Sequence, residues 1–225
     1  MKTLKQFLPL FIFLISLTSF GQQDPKRMYD PKKILDYMYS NSNLNLKPSE
    51  IEGSMYITSD FVPARFMEDG VVYSVRYNAY TDEFEIRDKD VTKYLPKISA
   101  YDIVLANTGK KYQVFKYNNK PMFFVVVSEG DNVNLLLKET VKFNKEVKAK
   151  SSYDQRKPPH FSRENDVLYI GYKNLNAELF PKKKKEILKL FGEKSTEVEK
   201  YAKKNKFSFK KTADLIEIFE FYNTL

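Results

Sequence analysis

The stretch VVYSVRYNAYTDEFEIRD, Val71 to Asp88, alternates apolar and polar residues on either side of Thr81-Asp82. Alternation with a period of two marks strands with one buried face, and the turn residues between them mark a hairpin. Read outward from a two-residue turn at Thr81-Asp82, Tyr80 stands opposite Glu83, Ala79 opposite Phe84, Asn78 opposite Glu85 and Tyr77 opposite Ile86. Asp69-Gly70, both tolerant of positive φ, predicts a second tight turn. It sets Met67 opposite Val72, Phe66 opposite Tyr73 and Ala64 opposite Val75. The two registers agree on faces. Val62, Ala64, Phe66, Tyr73, Val75, Tyr77, Ala79, Phe84 and Ile86 share the apolar one; Arg65, Ser74, Arg76, Asn78, Tyr80, Glu83, Glu85 and Arg87 share the wet one.

Glu83 and Glu85 lie two apart on one strand, so their Cα atoms are about 6.5–7 Å apart. Glycosidases hold two carboxyl groups at comparable separations, but in a cleft that drives their pKa values apart. Here Arg76 and Arg87 are cross-strand or diagonal neighbours, which predicts charge pairs on a hairpin face rather than an acid–base couple.

The same punctuation runs from Ile51 to about Tyr172. KISAYDIVLAN reaches a turn near Asn107–Lys110, and KKYQVFKY, PMFFVVVS and NVNLLLKETVKF are joined by NNK and by EGD around Gly130. PMFFVVVS is apolar on both faces and reads as a central strand covered on both sides. DVLYIGYK and LNAELFP predict one more pair. Residues 144–166 are polar and hold Pro158-Pro159 and the lone His160, so they read either as a polar loop with a candidate binding role or, in part, as an extension of the preceding strand. His160 has no second histidine and no cysteine to work with, so it is expected to be exposed and inert rather than a metal ligand.

Beyond residue 180 the period changes to that of helices. Ile187, Leu190 and Phe191 form a stripe stopped by Gly192. Thr196 with Glu199 reads as a capping box opening a helix with Val198, Tyr201 and Ala202. A last helix carries Leu215, Phe219 and Tyr222, with Asp214 near its start. Lys182, Lys183, Lys184 and Lys185 stand where the first of these helices begins and oppose its macrodipole. Either the run is still loop or an anion offsets it, which makes the four lysines the candidate anion contact. Any such contact is expected from the lysine-rich C-terminal region, where Lys203, Lys204, Lys206, Lys210 and Lys211 join Lys182 to Lys185 within thirty residues, and not from the acidic side of the hairpin.

At the other end, Lys2 and Lys5 precede the apolar run Phe7 to Phe20, and Ser19 and Gly21 are the small residues that signal peptidase needs. Cleavage after Gly21 is expected, leaving a chain that begins QQDPKR. Losing Lys2 and Lys5 takes the formal charge from +9 to +7, a balance that favours acidic partners. With no cysteine, disulfides, thiol nucleophiles and cysteine metal sites are excluded. The Lys, Asn, Tyr, Phe and Ile bias suits a bacterial chain. GxSxG, HExxH, P-loop and GxGxxG motifs are all lacking, so no cofactor is expected.

GSMYITSDFVPA (Gly53–Ala64), RYNAYTDEFEI (Arg76–Ile86) and the ending KKNKFSFKKTADLIEIFEFYNTL (Lys203–Leu225) together resemble a group of secreted proteins of Bacteroidota, flavobacteria especially. The SFGQ that ends the leader is similar to theirs. Met55 departs from that group's G-S-P-Y pattern, which has proline there. The resemblance implies an envelope location and carries over no catalytic residue.

The expected architecture is α+β: an antiparallel meander or half-barrel of roughly eight to ten strands, then a short C-terminal helical segment. The expected division is a signal peptide at 1–21, an irregular N-terminal segment at 22–50, a β domain at 51–180 containing the 144–166 loop, and a helical segment at 181–225. The expected function is that of a non-catalytic binding or scaffold protein in the periplasm or on the surface of a Gram-negative cell. Its partner would be an envelope protein or anionic envelope component, not nucleic acid, and the mature chain would have no transmembrane helix. The alternative is a carboxylate-dependent hydrolase of envelope glycan or lipid. A cleft gathering Glu83, Glu85 and further acids favours the enzyme; an open sheet with those acids paired to arginine favours the binder.

Overall fold

The computed structural model describes residues 51–66, 71–99, 101–149 and 155–225. The leader, the segment up to residue 50 and the Asp69-Gly70 turn lie outside the described residues.

β1 (Val62–Arg65), β2 (Tyr73–Asn78), β3 (Glu83–Asp88) and β4 (Val91–Tyr94) run outward as a meander to one edge of a sheet. The chain then crosses back and lays β5 (Ile103–Leu105) against the other side of β1. β6 (Lys111–Tyr117), β7 (Lys120–Ser128) and β8 (Val133–Lys138) continue in the opposite direction. β9 (Val141–Asn144) and β10 (His160–Arg163) leave to form a separate pair. β11 (Val167–Tyr172) then rejoins beside β8, and β12 (Ala177–Leu179) makes the second edge. The ten-stranded sheet is antiparallel throughout and is not closed into a barrel. Local chemistry sets the tight turns: Asn118 and Asn119, with φ of 49° and 61°, supply the two left-handed residues that a two-residue hairpin loop needs.

The sheet curls over each of its faces in turn. On one, the β2–β3 turn comes down on β7, and the Val141 amide donates to the Ala79 carbonyl at 3.2 Å, bridging the open side. This encloses Val75, Tyr77, Phe84, Ile103, Tyr112, Phe123 and Val125. On the opposite face β11 and β12 fold back until the Lys116 amide reaches the Leu175 carbonyl at 2.7 Å, enclosing Phe115, Phe124, Leu136 and Tyr169. Gly171 sits inside this second curl, where an added Cβ would lie 2.6 Å from the Phe115 ring. β7 is therefore the central, doubly covered strand its sequence predicts, with Phe123 in one core and Phe124 in the other.

The apolar face of the first hairpin is as expected, but both registers differ by two residues. Ala64 pairs with Tyr73 and Val62 with Val75, while Arg76 pairs with Glu85 and Tyr77 with Phe84. The β2–β3 loop is longer because the Asn78 side chain accepts the amides of Tyr80 and Thr81, each at 3.1 Å, and ends pairing at Asn78–Glu83. Asp82 then takes φ 59°. A slip of two keeps every side chain on its face, so the faces survive the error.

Two other expectations change. The described residues of the 144–166 stretch are not a plain loop: β9 and β10 pair, and Val147 and Lys157 exchange two backbone bonds of 2.9 Å. Phe143 and Phe161 pack on Tyr80 and help cover the open side, which the polar composition hid. His160 is half-buried on β10, not exposed, and its Nδ1 donates to the Pro158 carbonyl at 3.0 Å.

Three helices close the chain: α1 (Lys184–Lys189), α2 (Ser195–Lys204) and α3 (Thr212–Tyr222). With Phe191 from the turn after α1, they cover β8 and β11 through Ile187, Val198, Ala202, Leu215, Ile218 and Phe219. The Thr196–Glu199 capping box does not form, because a 3-10 turn (Gly192–Lys194) runs directly into α2 and leaves Thr196 inside the helix. Among the described residues no helix is long and apolar enough to cross a membrane.

Candidate functional site

The carboxylates of the opening hairpin have separate fates. Arg76 donates to Glu85 Oε2 from Nε at 2.9 Å and from Nη2 at 2.8 Å, and Tyr56 Oη donates to Oε1 at 3.0 Å. Aromatic side chains close over this pair: the Arg76 guanidinium lies 3.7 Å from the Tyr56 ring centroid and 4.5 Å from that of Phe61. Glu85 is left only 3% exposed, where a wet position was expected. Burial, and then the Glu85 carboxylate, push the Tyr56 phenol well above its ordinary range. Asn78, also expected on the wet face, is buried because its amide is spent on the turn and on Met55. Glu83 stays half-exposed.

A second constellation lies where β2, β6, β7 and β8 converge. Lys138 ends β8 and is 5% exposed. Its ammonium donates to Tyr77 Oη at 2.7 Å, to the Phe123 carbonyl at 2.9 Å and to Asp82 Oδ1. Asp82 also accepts from Tyr77 Oη at 2.7 Å and the Phe123 amide at 3.3 Å, and Lys97 stands 3.1 Å from its other oxygen. The next residue, Glu139, is 3% exposed and meets Lys110 at 2.8 Å, Arg163 at 3.3 Å and the Tyr112 hydroxyl. The Tyr77 and Tyr112 rings, with centroids 5.3 Å apart, join the two halves. These residues come from remote parts of the chain, and sequence reasoning missed them. Their only trace was a Lys-Glu pair interrupting the apolar run NVNLLLKETVKF, which the fold breaks at that point into β8 and β9.

Chemically the array is saturated. Both carboxylates are surrounded by cations and hydroxyl donors. The adjoining cavity, of about 40 Å³ between Ile57, Leu105, Lys110, Tyr77 and Tyr112, has room for a water-sized guest and not for a sugar or an acyl chain. A larger hollow of about 300 Å³ by β7 and the end of α3 is open and polar. There Lys111 bridges Asp102 and Glu129, and the Asn223 amide donates to Ser128 Oγ and the Glu129 carbonyl. Among the described residues no cluster of His, Asp and Glu suited to a metal ion is found.

Burial, then Asp82 for Tyr77 and Glu139 for Tyr112, push both phenols far above the ordinary value of about 10. A phenol so raised contributes stability in full below pH 10 and loses it as pH climbs further. Lys138 acts in the other sense: burial lowers its pKa, so it costs stability at low pH, and that cost fades as pH rises toward the ordinary 10.5. Above that value the phenols dominate, and each is expected to remove about 1.4 kcal/mol per pH unit. Urea melts at stepped alkaline pH should show the decline, and Tyr112→Phe should make it shallower. An unchanged slope in that variant would refute the assignment.

Lys182 and Lys183 precede α1, and Lys184 and Lys185 begin it, all exposed. Lys184 reaches Glu199 at 2.7 Å and lies 5.2 Å from the Phe209 ring; Lys183 is 3.7 Å from Glu186. The Lys184–Phe209 contact draws the residue just before Lys210 and Lys211 to the start of α1. Compared with protein-family models, with curated proteins and with solved structures, the chain finds no match in any of the three.

Proposed function

We propose that the protein is a non-catalytic binding protein of the bacterial cell envelope, exported by its leader. The observation that carries this reading is the pairing of Glu85 with Arg76 on an open sheet, in place of a cleft lined by unpaired acids. Asp82 and Glu139 are held in the same manner. The anionic contact is assigned to Lys182–Lys185 with Lys210 and Lys211, exposed ammonium groups that suit a headgroup surface, with Lys184 over the half-buried Phe209.

Co-sedimentation of the chain from Gln22 onward with phosphatidylglycerol or phosphatidylcholine vesicles tests it. Binding is expected to the anionic vesicles only and to fade at high salt, since exposed charges are screened over ~8–10 Å at physiological ionic strength. Changing Lys182–Lys185 to Gln should weaken it at least about tenfold, given on the order of 1 kcal/mol per basic residue near such a surface. Equal binding to both lipids would remove the lysine assignment. Release of fatty acid or reducing sugar from envelope preparations, abolished by Glu85→Gln, would replace the binder with the hydrolase.

A further inference from the structure

The wet face of the first hairpin carries three arginines, Arg65, Arg76 and Arg87, against two glutamates, Glu83 and Glu85. Arg76 and Glu85 cancel beneath Tyr56 and Phe61, while Arg65 and Arg87 stay exposed on the same face. Two guanidinium groups lie over the Phe61 ring, Arg76 at 4.5 Å and Arg87 at 4.1 Å from its centroid. That contact restrains the exposed Arg87 guanidinium. Among the described residues neither Arg65 nor Arg87 is bridged to a carboxylate.

The register places the two arginines relative to each other. Pro63, Ser74 and Arg87 form one row across β1, β2 and β3, and Arg65 stands two residues along β1. From strand spacing and rise, the two arginine Cα atoms are about 12 Å apart. Between them stand Ser74 and Val72, the latter 50% exposed, and Val104, 38% exposed, flanks Arg65 from β5.

We propose that this face is the docking surface for an extended acidic polypeptide with an apolar residue midway between two acids. In an extended chain residues i and i+4 are about 13 Å apart on one side, which fits carboxylates to Arg65 and Arg87 and sets residue i+2 over Val72. Carboxylates are what a pinned guanidinium fork recognises with two parallel bonds, and a lysine does not reproduce that geometry. Exposed valines, with Phe61 covered by its two arginines, suit an aliphatic side chain better than a sugar ring. The inference goes beyond the lysine-bearing end and does not depend on it.

A fluorescein-labelled peptide repeating Glu-Ser-Val-Ser, read by anisotropy at low salt, tests it. Wild type is expected to bind, and Arg65→Gln with Arg87→Gln to weaken binding at least about tenfold. Arg87→Lys keeps the charge but not the fork or the stack, and should remain several-fold weak; Lys182–Lys185 changed to Gln should bind as wild type. Thermal melts check that the exposed arginines leave the fold intact. Absence of wild-type binding, full binding by Arg87→Lys, or loss confined to the lysine variant would overturn the proposal. Tighter binding of polygalacturonate, or of phosphatidylglycerol vesicles through the same arginines, would overturn the choice of a polypeptide. Failure of vesicle binding with peptide binding intact would remove only the lysine reading.

Discussion

Asp82→Asn is expected to lower stability by about 3–5 kcal/mol, because it strands the buried Lys138 ammonium without its counter-charge. Asparagine tolerates the φ of 59° at this position and has nearly the same shape, so the loss reports charge and not backbone strain. Lys138→Met should cost less, since Asp82 keeps Lys97, the Tyr77 hydroxyl and the Phe123 amide. Combining the two is expected to recover part of the Asp82→Asn loss, as a non-polar side chain then occupies a site with no charge to answer. Urea unfolding of the four proteins measures the cycle. A smaller effect for Asp82→Asn than for Lys138→Met would show that Lys97, and not Lys138, carries the interaction.

Phe84→Ala is expected to cost about 3–5 kcal/mol. Phe84 is 0% exposed, and its ring centroid lies 4.8 Å from that of Tyr77, 5.0 Å from Tyr112 and 5.1 Å from Phe123. Truncation therefore opens a void in the middle of the larger core, between strands that cannot close on it without breaking their ladders. Its neighbours on the other face make a useful contrast. Glu83→Gln should change stability by no more than about 0.5 kcal/mol, as surface substitutions do. Glu85→Gln belongs with the buried pairs and should cost about 3 kcal/mol, because Arg76 remains under Tyr56 and Phe61 without its partner. Equal, small effects for the two glutamates would return Glu85 to a solvated face.

That contrast shows what the hairpin sequence conceals. Alternation placed Glu83 and Glu85 on the same side of β3, correctly, and treated that side as uniformly wet. The segment before β1 decides otherwise: Tyr56 and Phe61 come from outside the hairpin and roof one glutamate while leaving the other open. The basic end followed the same course. The concentration of lysines from Lys182 to Lys211 was legible, but the packing of Phe209 beside Lys184 at the start of α1 was not.

The sequence alone determined the apolar face of the first hairpin, that PMFFVVVS is central, that DVLYIGYK and LNAELFP pair, and that helices follow the sheet. Each is a local consequence of side-chain period and turn chemistry, and a two-residue slip in register leaves it untouched. Only the tertiary structure decided the register, the return of β5 to β1, the departure of β9 and β10, and the array of Asp82, Lys138 and Glu139. Asp82 and Lys138 are 56 residues apart, in segments that the curl of the sheet brings together. Curl arises from the twist accumulated over neighbouring strands and from the side chains that fill the two faces, so no window of local sequence contains it.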